Sequence, residues 1–340
     1  MPEEMRRVVL ASRPEAEAGP ENFRLETVAM PRPADGEVLV RVSHLSLDPY
    51  MRGRMSAAKS YAKPVEIGET MTGQGVGEVI ESRSPRFAPG DRVLGITGWA
   101  DHACLPAEAL RKLDGTLAPE LFLGVLGMPG FTGWVGLSEF GRPAEGETLA
   151  VAAATGPVGS MVGQLAKLKG LRAVAVAGGP EKCRIARESF GFDACLDHRA
   201  FDEAGALSAA IAGAAPDGID IYFENVGGMV LEAVLPLLND HGRIPLCGTV
   251  AWYSGGADGA QDRLPMLWRT ILVRRLAVRG FIIFDHYDRY DAFLEEVAPM
   301  VEAGRIAHLE DVADGLESAP EAFVSMLKGG NTGKQLVRVG

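Results

Sequence analysis

The stretch from Thr148 to Lys169, TLAVAAATGPVGSMVGQLAKLK, constrains the fold more than any other part of this chain. A short run of small apolar residues, Thr148 to Ala153, leads into Gly156, Gly159 and Gly163. Such a run ahead of glycines predicts a buried strand. Val158, Met161, Val162, Leu165 and Ala166 then recur at helical spacing. Strand, glycine turn and helix together open a dinucleotide-binding βαβ unit. Its glycines let the backbone approach a pyrophosphate, and the helix N-terminus presents free N–H groups to it. The spacing is G-x-x-G-x-x-x-G rather than G-x-G-x-x-G, and the glycines by themselves also fit an ordinary strand-to-helix turn.

The context extends the pattern. From about residue 123 the chain alternates strand and helix. Strands are predicted at Arg172–Ala177, Ala194–Leu196, Ile219–Phe223, Arg243–Cys247 and Leu276–Ile283, and helices at Pro180–Phe190, Leu264–Val273 and Tyr290–Ala303. Residues 1–122 read differently. Candidate strands Arg7–Leu10, Phe23–Val28, Glu37–Leu45, Gly73–Val79, Arg92–Ile96 and Trp99–Leu105 are separated by turn-formers such as PRPADGE and RFAPGD. Many short strands with such punctuation predict a compact β-rich domain. Pro49 and Gly53 interrupt the third strand, in LSLDPYMRG, where Tyr50 and Met51 are placed to face a cleft, and Tyr61 follows in the next loop. The tail carries an amphipathic helix at Pro320–Lys328 and a last strand, Lys334–Arg338, expected to rejoin the first domain. The expected class is α/β, a β-rich domain (1–122) beside a doubly wound parallel sheet (123–304), with 305–340 returning to the first.

The second strand indicates which dinucleotide. An NAD site carries an acid about 20 residues after the first glycine, on the ribose 2′-hydroxyl. Here VAVAGGP holds none, Lys182 follows Glu181, and Arg184 and Arg199 are possible neighbours. Cations without an opposing acid favour a 2′-phosphate and so NADPH. A net charge of −11 argues against general nucleic-acid affinity. Cys104, Cys183, Cys195 and Cys247 show no ligand spacing, so no metal site and no disulfide framework is expected, and reduced cytoplasmic thiols are the simplest reading. The N-terminal segment lacks the features of a signal peptide, and no stretch is long enough to span a membrane.

Several motifs in order make the chain resemble the zinc-independent medium-chain dehydrogenase/reductases, in the branch of prostaglandin, plant alkenal double-bond and bacterial curcumin reductases. These are LSLDPYMRGRM (45–55), GMPGFTGW (127–134), AAATGPVGSMVGQLAKLKG (152–170), YFENVGG (222–228), GRIPLCGTVAWY (242–253) and MLKGGNTGKQLV (326–337). The resemblance implies a GroES-like domain with a Rossmann domain inserted before its C-terminal segment. It implies that Gly156, Pro157, Val158 and Gly159 hold the pyrophosphate and that Lys182 meets the 2′-phosphate. Asn225 and Asn331 would contact the cofactor, and Cys247, Gly248 and Thr249 to Tyr253, with Phe281, Ile282 and Ile283, would line its cleft. Where many relatives have a tyrosine beside the 2′-phosphate, this chain has His198 followed by Arg199.

The implied reaction reduces a carbon–carbon double bond conjugated to a carbonyl. Charge then develops on the carbonyl oxygen, and a donor placed there stabilises the transition state more than the ground state. Tyr253 is the candidate donor, with Tyr50 as the second catalytic candidate. Tyr50, Met51, Met55, Tyr61, Trp252 and Phe284 would give an apolar pocket for an enone or enal. The loop after Leu45 offers Asp48-Pro49-Tyr50 where zinc relatives place ligands, and His44 and His102 are isolated. A quinone reductase and a non-catalytic NADPH sensor are the rival readings. An apolar edge strand at Leu276–Ile283 would suit a homodimer.

Overall fold

The structure is a computed structural model that describes residues 3–113, 115–253 and 263–340. Strands β1 (Glu4–Leu10) and β2 (Phe23–Ala29) form an antiparallel ribbon. β3 (Glu37–Ser46) is the centre of a second sheet, flanked by antiparallel β4 (Gln74–Ser82), with β5 (Arg92–Ile96) beyond. Between β3 and β4 the break at Pro49 is a single helical turn, α1 (Tyr50–Arg54), which runs through Gly53 rather than ending there. Proline has no N–H to give a ladder but its fixed φ suits a helix start, so Pro49 ends pairing and opens the turn. β6 (His102–Pro106) pairs with the first half of β3, and β7 (Arg111–Lys112) with β5. The strand expected at Trp99 begins only at His102. Trp99 is instead buried, stacked on Phe23 and edge-on to Phe323.

The middle of the chain begins with α2 (Met128–Val135). It continues through β8 (Thr148–Ala152), α3 (Pro157–Leu168), β9 (Arg172–Ala177), α4 (Pro180–Glu188) and β10 (Ala194–Asp197). Next come α5 (Ala204–Ala214), β11 (Ile219–Phe223), α6 (Gly228–Val234), β12 (Leu238–Leu246), α7 (Leu264–Arg274), β13 (Ala277–Gly280) and α8 (Tyr290–Glu302). All six strands are parallel, in the order β10-β9-β8-β11-β12-β13. That is the doubly wound order of a dinucleotide-binding fold, whose direction reverses between β8 and β11. The central strands of this sheet are mostly apolar, as burial on both faces requires: β8 is buried at every position, and β9 and β11 at all but one.

The tail supplies β14 (Glu310–Asp314), α9 (Ala319–Leu327) and β15 (Lys334–Arg338). β15 runs antiparallel to the end of β3 and parallel to β14. The chain thus divides into two compact units, one of Met1–Gly124 with Glu310–Gly340 and one of Val125–Leu309. The first packs Val8, Leu10, Phe23, Leu45, Trp99, Phe323 and Val337 together, and the second packs Ala150, Val174, Ile219, Tyr222 and Ile244.

Candidate active site

The glycine turn sits at the carboxyl end of β8, on one side of the point where the strand order reverses. Ala153 takes a left-handed φ of 52°, and the Gly156 N–H closes the turn on the Ala153 carbonyl at 2.9 Å. Pro157 starts α3, and the Ser160 N–H to Gly156 carbonyl bond at 2.9 Å is the first of the helix. The N–H groups of Val158 and Gly159 therefore have no acceptor inside the helix and form an anion-binding end. The three glycines do different things. A Cβ on Gly159 would lie 2.4 Å from the Ala153 carbonyl oxygen, so only glycine lets the helix press on the turn. A Cβ on Gly163 would fall 1.9 Å from the Phe192 ring. At Gly156 the nearest atom would be 3.2 Å away, the least crowded of the three. These residues fit a pyrophosphate.

The next turn follows β9. Gly178 has no room for a side chain, because its Cβ would meet Arg199 Nε at 2.9 Å and His198 Nε2 at 3.0 Å. Both groups therefore lean over this backbone. Burial lowers the His198 pKa, the Arg199 and Lys182 charges lower it further, and Asp197 opposes them. Lys182, His198 and Arg199 thus form one electropositive group, which fits a phosphate. Asp197, which the sequence analysis did not single out, holds it together: its Oδ1 accepts from the N–H of Gly179 at 2.7 Å and of Arg199 at 2.9 Å. Arg184 is not part of the group, since it pairs with Glu181 and Glu188 along its own helix.

On the other side of the reversal, β11 ends in Glu224-Asn225-Val226-Gly227-Gly228, with φ of 77° and 58° at the two glycines. Asn225 Nδ2 donates to the Ala152 carbonyl at 3.1 Å and so ties this turn to the end of β8. The segment after β12 zips onto it. Cys247 N–H donates to the Glu224 carbonyl at 2.9 Å, Val250 N–H to that of Asn225 at 3.3 Å and Ala251 N–H to that of Val226 at 3.0 Å. Trp252 lies against Gly227, where a Cβ would come 3.0 Å from the indole. A Cβ on Gly248 would lie 3.2 Å from the Tyr253 hydroxyl and 3.4 Å from the Asn225 carbonyl oxygen. Asn225, Gly248 and Tyr253 are therefore neighbours, and Thr249 is half-buried in the same loop.

Beneath this loop is a residue the sequence analysis missed. Glu224 is buried, and its Oε1 accepts from the N–H of Val226 at 2.6 Å, of Gly227 at 2.8 Å and from the Tyr222 hydroxyl at 3.3 Å. Its Oε2 is buried without a partner. Burial raises its pKa, against the pull of those donors. Burial also pushes the Cys247 thiol up to about 12, with the Glu224 charge adding to it. An acid in the middle of YFENVGG was the only signal. Phe281 and Ile283 are buried, with Phe281 packed on Phe140 and Phe223, and Ile282 is half-buried between them. Phe284 is exposed and stacks on Tyr287.

The first unit holds the remaining candidates. Tyr50 and Tyr61 both lie within cation–π range of Arg54. Met51 and Met55 are fully buried in the core with Leu10, Leu47 and Trp99, so they support the loop from beneath rather than line an open wall. Asn331 Nδ2 donates to the Gly333 carbonyl at 2.8 Å. Close by in sequence, buried Lys334 donates to the Leu47 carbonyl at 2.6 Å and to Asp48 Oδ1 at 3.0 Å, which anchors the loop that carries Tyr50. His102 Nδ1 is 2.9 Å from Asp101 Oδ1, and His44 Nδ1 is 3.3 Å from Ser43 Oγ. Among the described residues no three His, Cys, Asp or Glu side chains are grouped to hold a metal, and no helix is long and apolar enough to cross a membrane.

Known proteins resemble this chain along most of its length. Residues 6–113 match the family described as N-terminal domain of oxidoreductase, and residues 157–299 the family described as zinc-binding dehydrogenase. The NADPH-dependent curcumin reductase of Escherichia coli is 53% identical over 98% of this chain and 96% of its own length. The NADP(+)-dependent 2-alkenal reductase of Nicotiana tabacum is 42% identical over 89% of this chain and 87% of its own. The crystal structure of CurA from Vibrio vulnificus in complex with NADPH superposes with a TM-score of 0.94 at 48% identity, covering 98% of this chain and 99% of that one.

Proposed function

The chain belongs to the zinc-independent medium-chain dehydrogenase/reductases, and from that membership we infer that it reduces the carbon–carbon double bond of α,β-unsaturated ketones and aldehydes with NADPH. The observation that carries the residue assignment is the loop at the strand-order reversal, where the Tyr253 hydroxyl, Gly248 and the Asn225 carbonyl adjoin. When bound, NADPH supplies the hydride that the β-carbon of the enone accepts. The N–H groups of Val158 and Gly159 hold its pyrophosphate, and Lys182, His198 and Arg199 hold its 2′-phosphate. Asn225, with the segments 247–253 and 281–283, positions the rest.

Tyr253 donates a hydrogen bond to the substrate carbonyl oxygen, where charge grows as the enolate forms. A donor already in place there lowers the barrier without waiting for solvent to reorganise. Tyr50 and Tyr61 in the first unit offer aromatic surface suited to an apolar enone, as Trp252 and Phe284 do in the second. The test is NADPH oxidation with a panel of enals, enones and quinones, with the product mass checked for a gain of two hydrogens across the double bond. Saturated enones, with NADPH preferred to NADH, are expected. Turnover of quinones alone overturns the assignment.

The protein is assigned to the cytoplasm, in keeping with its free thiols. It is also assigned as a homodimer. β13 is the open edge of the six-stranded sheet, and its four residues are all exposed. α7, the helix that leads into β13, presents Trp268 at 64% and Leu272 at 77% exposure. An exposed apolar helix next to an uncovered strand is a pairing surface. Light scattering is expected to give twice the chain mass.

A further inference from the structure

The described residues bury three cations, Arg52, Arg54 and Lys334. Two of them have oxygen partners. Arg52 donates to the Ala16 carbonyl at 2.5 Å, and Lys334 donates to the Leu47 carbonyl and to Asp48. Among the described residues Arg54 makes neither a side-chain hydrogen bond nor an ion pair, and its side-chain neighbours are two tyrosine rings. Its guanidinium carbon lies 4.7 Å from the ring centre of Tyr61 and 5.5 Å from that of Tyr50. These rings help leave the side chain with only 8% exposure, while Tyr61 itself is 53% exposed.

A guanidinium held in this way is unusual. Burying a charge is costly unless it is paired or bonded, and arginine's planar fork of N–H donors matches a carboxylate bidentately. Tyrosine rings stabilise the cation through their faces but accept none of its in-plane hydrogen bonds. The fork is therefore fixed in place next to two tyrosines of the proposed substrate surface, with its acceptor still to come. Arg52, two residues earlier, shows the alternative: a guanidinium committed to a backbone carbonyl of its own unit.

We propose that Arg54 is a specificity-determining residue that binds a carboxylate carried by the substrate at a distance from its reacting double bond, so that the preferred substrates are acidic enones and enals. The proposal rests on the enone-reductase reading. Tyr50 and Tyr61 hold the apolar stem of such a substrate and align the guanidinium for its acidic end. The chemistry at the double bond is untouched, since Arg54 acts only through binding.

The test compares an unbranched enal bearing a terminal carboxylate with its methyl ester, in wild type, Arg54→Met and Arg54→Lys. Wild type is expected to show a higher kcat/KM for the acid. Arg54→Met should cut the acid-to-ester preference by about tenfold or more, the scale of a charge-assisted hydrogen bond, and mainly through KM. Arg54→Lys, which keeps the charge and loses the fork, should retain part of the preference. Equal losses with both substrates in Arg54→Met would make Arg54 a packing residue and overturn the proposal, as would a wild type indifferent to the acid. Binding of the saturated acid and ester to NADP-loaded protein, followed by calorimetry, separates this from the parent reading. Acid preference in binding without turnover of either enal defeats the reductase assignment and leaves the carboxylate site standing. If Arg54→Met does not fold, the same preference measured in Arg54→Lys decides.

Discussion

Each unit of the protein supports a loop that carries a candidate tyrosine with a buried ionisable group, and the two do so by different means. In the first unit Lys334, 2% exposed, reaches across 286 positions to Asp48 and to the Leu47 carbonyl, just before Tyr50. In the second, Glu224, 1% exposed, collects the N–H groups of Val226 and Gly227 from its own turn, while its backbone carbonyl receives Cys247 ahead of Tyr253. Lys334 has a counter-ion, and Glu224 has only dipoles. The ion pair extends the β15–β3 pairing past the end of β3, into the loop where the ladder stops. A lone carboxylate is suited to shape a tight turn, where several N–H groups point at one place. The difference teaches that the loop of the first unit is held by a long-range clamp and that of the second by local geometry.

The largest effect that can break this comparison is removal of one end of the clamp. Lys334→Met leaves Asp48 buried and uncompensated and is expected to cost roughly 3–5 kcal/mol of unfolding free energy, measured by urea denaturation. Replacing both, Lys334→Met with Asp48→Leu, should recover most of that, because the pair's own desolvation cost is removed with it. No recovery would show that Lys334 is held by the Leu47 carbonyl and not by the carboxylate. Glu224→Ala should cost less in stability, about 1–3 kcal/mol for the donors left unpaired. It should also weaken NADPH binding, because Asn225 and the segment after β12 lose their common support. A drop in melting temperature with an unchanged NADPH dissociation constant would remove Glu224 from the site.

These two residues also mark the limit of what the sequence discloses. The doubly wound sheet was legible because its central strands are apolar runs of the right length, alternating with helical periodicity, and the glycine turn is punctuated by position. The individual duties of the glycines were not. Gly163 is needed because Phe192, almost thirty positions on, occupies the place of its Cβ, a tertiary fact without a local signal. Glu224, Asp197, Lys334 and Arg54 were passed over for one reason. A charged residue in a loop or at a strand end reads as solvated, and only packing shows which are buried and what they bind. Met51 and Met55 failed in the opposite sense: apolar residues in a functional motif suggested a pocket wall, and the structure puts them in the core. The absence of an acid after β9 favoured NADPH, the cofactor named for the similar curcumin and alkenal reductases.

A smaller effect compares the tyrosines above the two buried charges. Tyr253→Phe is expected to lower kcat about tenfold or more with enone substrates while NADPH affinity stays within about twofold, since the hydroxyl acts on charge that appears only in the transition state. Tyr50→Phe should act less on kcat and more on KM, because its ring, placed beside Arg54, serves binding. Equal losses in kcat would make the two loops equivalent in the chemistry.

The smallest effect is in pH dependence, and it has opposite sign in the two units. Burial raises the Glu224 pKa in the fold, so between the ordinary glutamate value and the raised one the folded protein holds more protons than the unfolded chain. Stability from this group is full at low pH and is lost as pH rises through that window. Burial lowers the Lys334 pKa, with Asp48 opposing, so in the alkaline window below the ordinary lysine value the folded protein holds fewer protons and stability rises with pH. Glu224→Gln keeps an acceptor oxygen for the three donors and removes the titration. The difference in urea midpoint between wild type and Glu224→Gln should therefore move against wild type as pH rises from about 4.5 to about 7. A pH-independent difference would mean that the three donors hold Glu224 ionised throughout, and that a cluster of dipoles supports a buried charge as fully as the counter-ion does in the other unit.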